Sequence, residues 1–151
     1  MQAAYRRTGD MDGLLNQLFY VSKIETGNMP LSVQKIEIAD FIRNYVNGKQ
    51  ELLDKEKEQM QAETGDIHLD VDSDPEQLQR IFDNLLENSR KYAERDVLKT
   101  ELSLKRTEGG VEICFRDNGV GVPEEKLPYV FDEFYRVQKQ KRRKRPWTGS
   151  R

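Results

Sequence analysis

From Asp10 to Glu25, apolar residues recur at alternating steps of three and four: Met11, Leu14, Leu18 and Val21, with Leu15 and Phe19 widening the stripe. This period predicts an amphipathic helix that cannot bury its own face and so needs a partner helix. Gly27-Asn28-Met29-Pro30 stops it, with the glycine ending the helix and the proline preventing its resumption. Leu31, Val33, Ile36 and Ile38 then set a brief alternation, suited to an edge strand or an extended connection. Asp40 is the expected cap of a second helix, with Phe41, Ile42, Tyr45, Val46, Leu52 and Leu53 facing inward. That helix decays into the charged run 54–58, and residues 59–64 suit either a helix end or a polar strand.

Strict alternation over Asp66–Asp72 predicts a strand with Ile67, Leu69 and Val71 on one face. Asp74 and Pro75 then read as an N-cap and a proline at the first helical position. The helix they open runs to about Glu94, with Leu78, Ile81, Phe82, Leu85 and Leu86 as its core stripe. Leu98–Arg106 and Val111–Asp117 follow as two strands joined in a hairpin at Glu108-Gly109-Gly110. A short helix begins at Pro123 and heads toward Phe131. Strands and helices alternate irregularly and include a hairpin. The prediction is an α+β fold of two layers, a mixed sheet covered by helices on one face.

Composition narrows the picture. At 151 residues the chain has the size of one ordinary domain, and 34% charged with 36% hydrophobic content gives a heavily solvated surface around a core. No apolar run approaches the roughly 20 residues that span a bilayer, and no signal peptide is visible, so a cytoplasmic protein is expected. A single cysteine, Cys114, rules out an internal disulfide, suits a reducing compartment and is expected to be a small buried thiol. Residues 138–151 carry seven basic side chains and no acid, which leaves 18 basic against 27 acidic residues in 1–137. So acidic a body repels nucleic acid, and the basic tail, without periodicity, reads as disordered.

Three constellations carry candidate chemistry. At about 100° per residue, Asn84, Asn88 and Lys91 share one sector on the flank of the apolar stripe. Asn88 offers a hard carbonyl oxygen suited to Mg²⁺ beside phosphate oxygens and water, Lys91 a positive charge, and Tyr92 a hydroxyl or ring edge. The same residues also suit a solvated helix flank. Asp117-Asn118-Gly119-Val120-Gly121 follows a strand: the aspartate can accept a hydrogen bond from the exocyclic amine of adenine, and the glycines admit close backbone approach. Plain turn chemistry explains those residues equally well. Phe131-Asp-Glu-Phe134-Tyr-Arg136 is either a lid edge over a nucleotide, with Arg136 at the phosphates, or the packing of a terminal helix.

Taken together, these stretches resemble the asparagine box, first glycine box and phenylalanine box of bacterial sensor histidine kinases, the GHKL superfamily with its Bergerat-type ATPase fold. The resemblance covers roughly Asp10–Val137. It extends to Val21-Ser-Lys-Ile-Glu-Thr-Gly27, similar to the exit from the family's dimerisation hairpin, and to the lead-in Asp74-Pro75-Glu-Gln-Leu78. It implies ATP and Mg²⁺ as cofactors, with Asn88 as the metal ligand and Asn84, Asn88, Lys91, Tyr92, Asp117, Gly119 and Gly121 binding the nucleotide. Asn84 and Arg136 are then the expected catalytic residues. It also implies ATP-dependent phosphorylation of a histidine, relay to an aspartate on a response regulator, and a kinase dimer partner. Family members are often membrane-anchored through upstream segments.

The domains expected on this basis are 1–30, a remnant of the helical hairpin, 31–137, an incomplete ATP-binding domain, and 138–151, the basic tail. A homodimer through 10–26 is expected. The family's phospho-accepting histidine and second glycine box find no match, since the one histidine, His68, falls on a strand. The abrupt change at residue 138 suggests a reading-frame change or truncation, and a chain inactive by itself. The alternative is a non-catalytic dimerisation or interaction protein derived from such a kinase.

Overall fold

The computed structural model describes residues 18–132. Residues 18–25 are helical (α1) and end at Gly27, whose φ of +70° is the left-handed turn expected of a glycine stop. The rest follows as β1 (Gln34–Glu37), α2 (Ile38–Gln50), β2 (Glu58–Glu63), β3 (Asp70–Ser73), α3 (Pro75–Lys91), β4 (Leu98–Thr107), β5 (Gly110–Asp117) and a 3₁₀ turn at Glu124–Tyr129. β1 and β3 pair antiparallel as a small ribbon. The larger sheet has the order β2-β4-β5, parallel between the first pair and antiparallel in the hairpin. A mixed sheet with helices on one face is therefore present.

Period-two alternation puts Met60 and Ala62 of β2, Leu98, Thr100, Leu102 and Leu104 of β4, and Val111, Ile113 and Phe115 of β5 on the covered face. α2 meets them with Ile38, Ala39, Ile42, Tyr45 and Val46, and α3 with Phe82 and Leu86. Ile38, Ile42, Leu86 and Leu102 are almost wholly excluded from water, each worth about 1.5–3 kcal/mol of burial. Tyr45 packs edge-on to Phe82 at 5.2 Å and donates its hydroxyl proton to Asp83 at 2.7 Å, and Lys49 reaches the same carboxylate at 2.8 Å. Burial, then the adjacent Asp83 carboxylate, push the Tyr45 phenol well above its ordinary range.

Several expectations are corrected. The cap of α2 is Glu37, whose carboxylate accepts from Asp40 N at 2.6 Å and from Leu69 N at 3.3 Å. Asp40 lies in the first turn, where the Arg43 guanidinium, 2.5 Å away, holds its carboxyl below the usual range. Helix α2 ends at Gln50, so Leu52 is exposed while Leu53 still packs on the core. Of residues 59–64, all but Thr64 fall in the strand β2. The strand expected over Asp66–Asp72 pairs only from Asp70, although Ile67, Leu69 and Val71 do turn inward. His68, expected on a strand, thus sits exposed in the loop before β3. Helix α3 stops at Lys91, and its buried stripe is Phe82, Leu86 and Ser89, with Ile81 and Leu85 exposed. Cys114 is half-buried on the uncovered face, one step out of phase with Ile113 and Phe115.

Candidate nucleotide-binding site

Helix α3 presents the first half of the site because its N-terminus is fixed firmly. Asp74 accepts from Glu76 N at 3.1 Å and Gln77 N at 3.2 Å, and its second oxygen accepts from Ser32 N at 2.9 Å. One carboxylate therefore caps the helix and ties down the connection arriving from α1. At the other end, Arg90 forms a forked pair with Glu58, its Nε and Nη2 lying 3.0–3.1 Å from the carboxylate, which holds α3 against the start of β2. Asn84 and Asn88 between these anchors, and Lys91 just past the second, are exposed along one flank, as the spacing predicts. Among the described residues neither carboxamide has a protein hydrogen-bond partner. Lys91 lies 3.9 Å from Glu87, and Tyr92 closes the helix as its C-cap.

The second half comes from the end of β5. Ser89 Oγ stands 2.6 Å from Asp117 Oδ2 and 3.1 Å from the Leu85 carbonyl. A hydroxyl has one proton, and the charged, nearer acceptor takes it. The other oxygen of Asp117 accepts from Gly119 N at 2.9 Å. Both oxygens are thus oriented, yet the residue stays exposed. Asp117 is joined to α3 one residue from Asn88. The two motifs, 29 positions apart from Asn88 to Asp117, converge in space.

The two glycines of the loop serve different needs. A Cβ at Gly119 would stand 3.0 Å from Asp117 Oδ1 and 3.6 Å from the Tyr92 carbonyl oxygen, so the bare backbone is what lets the loop close onto α3. Gly121 has open space around it but φ of +72°, which side chains rarely adopt. Asn118, between them, donates Nδ2–H to the Val97 carbonyl at 3.0 Å and accepts from Lys99 N at 2.9 Å, stitching the loop to the start of β4.

Sequence reasoning passed over Ser89 and gave Asn118 no role. The signal for Ser89 is its place in the buried stripe of α3, where a polar side chain requires a partner. Phe131 is described and almost fully exposed, while Phe134, Tyr135 and Arg136, and the tail 138–151, lie outside the described residues.

The donor set fits a nucleotide with its magnesium. Among the described residues no cluster of three or more His, Cys, Asp or Glu could hold a metal by itself. An exposed, unengaged carboxamide one turn from the cationic Lys91 suits an ion that keeps most of its ligands as phosphate and water. No helix among the described residues is long and apolar enough to cross a membrane.

The profile of the Histidine kinase-, DNA gyrase B-, and HSP90-like ATPase family matches residues 73–150. The sensor protein kinase WalK of Staphylococcus haemolyticus is 29% identical over 147 residues, covering 94% of this chain and 23% of its own length. The chain thus spans about a quarter of that relative. Among solved structures, the Acinetobacter baumannii histidine kinase AdeS superposes with a TM-score of 0.68 at 15% identity, over 85% of this chain and 64% of that one. Histidine kinase ThkA, solved in complex with the response regulator protein TrrA, gives a TM-score of 0.63 at 19% identity, over 83% of this chain and 38% of that one. The profile match covers half of the chain, and the asparagine helix and aspartate–glycine loop lie inside it. This chain therefore belongs to the histidine kinase-, DNA gyrase B- and HSP90-like ATPase family, as an ATP-binding domain of the sensor histidine kinase type.

Proposed function

We propose that this chain binds magnesium and ATP between α3 and the loop after β5, as the catalytic part of a two-component sensor histidine kinase. The observation that carries this reading is the Ser89–Asp117 hydrogen bond, 2.6 Å long, which brings an adenine-reading carboxylate alongside the helix of Asn84 and Asn88. In this assignment Asp117 accepts from the exocyclic amine of the base, and Gly119 and Gly121 let the backbone approach it. Asn88 holds the metal, Asn84 and Lys91 hold phosphate oxygens, Tyr92 flanks the nucleotide, and Arg136, outside the described residues, is assigned to the transferred phosphoryl group. Magnesium, when bound, neutralises charge on the phosphates. The protein's own contribution is positioning and fixed electrostatics, the main demands of phosphoryl transfer.

The acceptor is a histidine on a helical segment, which His68, exposed in the loop before β3, is not. From there the phosphoryl group passes to the aspartate of a response regulator, the class of partner bound in the ThkA complex. We expect no self-phosphorylation by these 151 residues. Titration with a fluorescent ATP analogue in Mg²⁺ tests the site: binding should be lost on Asn88→Ala or Asp117→Ala. Binding that survives both substitutions rejects the assignment. Radiolabel from ATP appearing in the purified chain would refute the expected lack of self-phosphorylation.

One observation supports a second reading. Leu18, Phe19, Val21 and Ile24 of α1 are all exposed, between 39% and 67%. A helix so exposed suits pairing with a second copy or another kinase, which would make the chain an interaction protein. Dimerisation without any nucleotide binding would favour that reading.

A further inference from the structure

Helix α1 meets α3 on the same face that carries the candidate nucleotide residues. The Tyr20 hydroxyl donates to Gln77 Oε1 at 2.6 Å, and the Arg80 guanidinium carbon lies 3.5 Å from the centre of the Tyr20 ring. At about 100° per residue, Gln77, Arg80, Asn84, Asn88 and Lys91 fall within one sector of α3 about 80° wide. Arg80 stands one turn, about 6 Å along the axis, before Asn84. Among the described residues it has no carboxylate partner. The acid at the rim of this sector, Glu87, lies beside Lys91 instead.

The order of groups along α3 gives the face a direction. In the reading above Asn88 holds the metal, and Asn84, one turn nearer the N-terminus, holds phosphate oxygens. Arg80 continues that row by one further turn, on the same exposed face. Stacking on an aromatic ring at a solvent-accessible site holds a guanidinium only weakly. Phosphate oxygens offer the same fork of donors a paired, charge-assisted contact.

We propose that Arg80 is a terminal-phosphate contact held in reserve by Tyr20, so that docking of α1 on α3 and grip on the phosphate tail are alternatives. This rests on the nucleotide-binding reading above and adds to it a residue that discriminates triphosphate from monophosphate. It also makes the position of α1 a control on affinity.

The test uses the full chain in Mg²⁺, titrated with a fluorescent ATP analogue and competed with AMP, after thermal melts confirm that each variant is folded. Tyr20→Ala frees the guanidinium and should tighten the ATP analogue by roughly threefold or more, with AMP unchanged. In that background Arg80→Ala should weaken the analogue about tenfold, the size of one charge-assisted contact, again sparing AMP. Arg80→Lys should recover part of the loss. The proposal is overturned if Arg80→Ala affects ATP and AMP alike or neither, or if Tyr20→Ala weakens ATP binding. Where Asn88→Ala and Asp117→Ala abolish binding but the Arg80 variants do nothing, this proposal alone fails. Where those two variants leave binding intact, the site assignment falls and takes this proposal with it.

Discussion

Ser89 lies at the end of the buried stripe of α3 and gives its one hydroxyl proton to Asp117, 2.6 Å away across the junction between helix and sheet. Removing that hydroxyl leaves the carboxylate held only through its Gly119 contact. Ser89→Ala should weaken binding of a fluorescent ATP analogue by roughly five- to tenfold, about 1–1.5 kcal/mol for an oriented hydrogen bond. The thermal midpoint should fall only slightly. Equilibrium titration beside a thermal melt separates the two, and a large loss of stability with unchanged affinity would mark Ser89 as a packing residue.

Gly119 is a steric requirement of the same junction. The added methyl in Gly119→Ala would press on an Asp117 oxygen at 3.0 Å, and that carboxylate is anchored on its far side by Ser89. The expected outcome is weaker nucleotide binding in a chain that still folds, read by titration and by circular dichroism. Unchanged affinity would show that the carboxylate has room to move.

Asp74 joins two tasks, capping α3 and holding the backbone at Ser32. Asp74→Ala should lower unfolding stability by about 1–2 kcal/mol, as at other caps, measured by urea denaturation. Asp74→Asn keeps a capping oxygen and should recover much of the loss. Equal losses in the two variants would indicate that the charge, not the cap geometry, matters.

Tyr45 gives the pH dependence. Its phenol is raised above the ordinary value of about 10, so the folded state keeps the proton longer than the unfolded chain does. The stabilisation is whole below about pH 10 and is lost as pH climbs toward the folded-state value. Thermal midpoints measured from pH 8 to 11 should therefore drop at the alkaline end, with a shallower drop in Tyr45→Phe. At neutral pH that variant should cost about 1–2 kcal/mol, the value of a hydrogen bond to a charged acceptor.

The sequence by itself settled whatever depends on neighbours along the chain. Asp74-Pro75 opens α3, Glu108-Gly109 turns the hairpin, Gly27 ends α1, and Asn84, Asn88 and Lys91 share a flank, because caps, turns and the helical period act over a few residues. Packing decided the rest. Residues 59–64 gave no local preference, yet Glu58–Glu63 is a strand because β4 offers a parallel ladder reached only through β3 and α3. Glu37 rather than Asp40 caps α2, since β1 runs straight into the helix and Leu69 is there to share its carboxylate. Ile81 and Leu85 look like core by period but stay exposed, because the sheet covers only the side of α3 that holds Phe82, Leu86 and Ser89. The meeting of Ser89 with Asp117, and of Tyr20 with Arg80, likewise had no local signature: each is a contact between distant segments, fixed only when helix and sheet close around a common core.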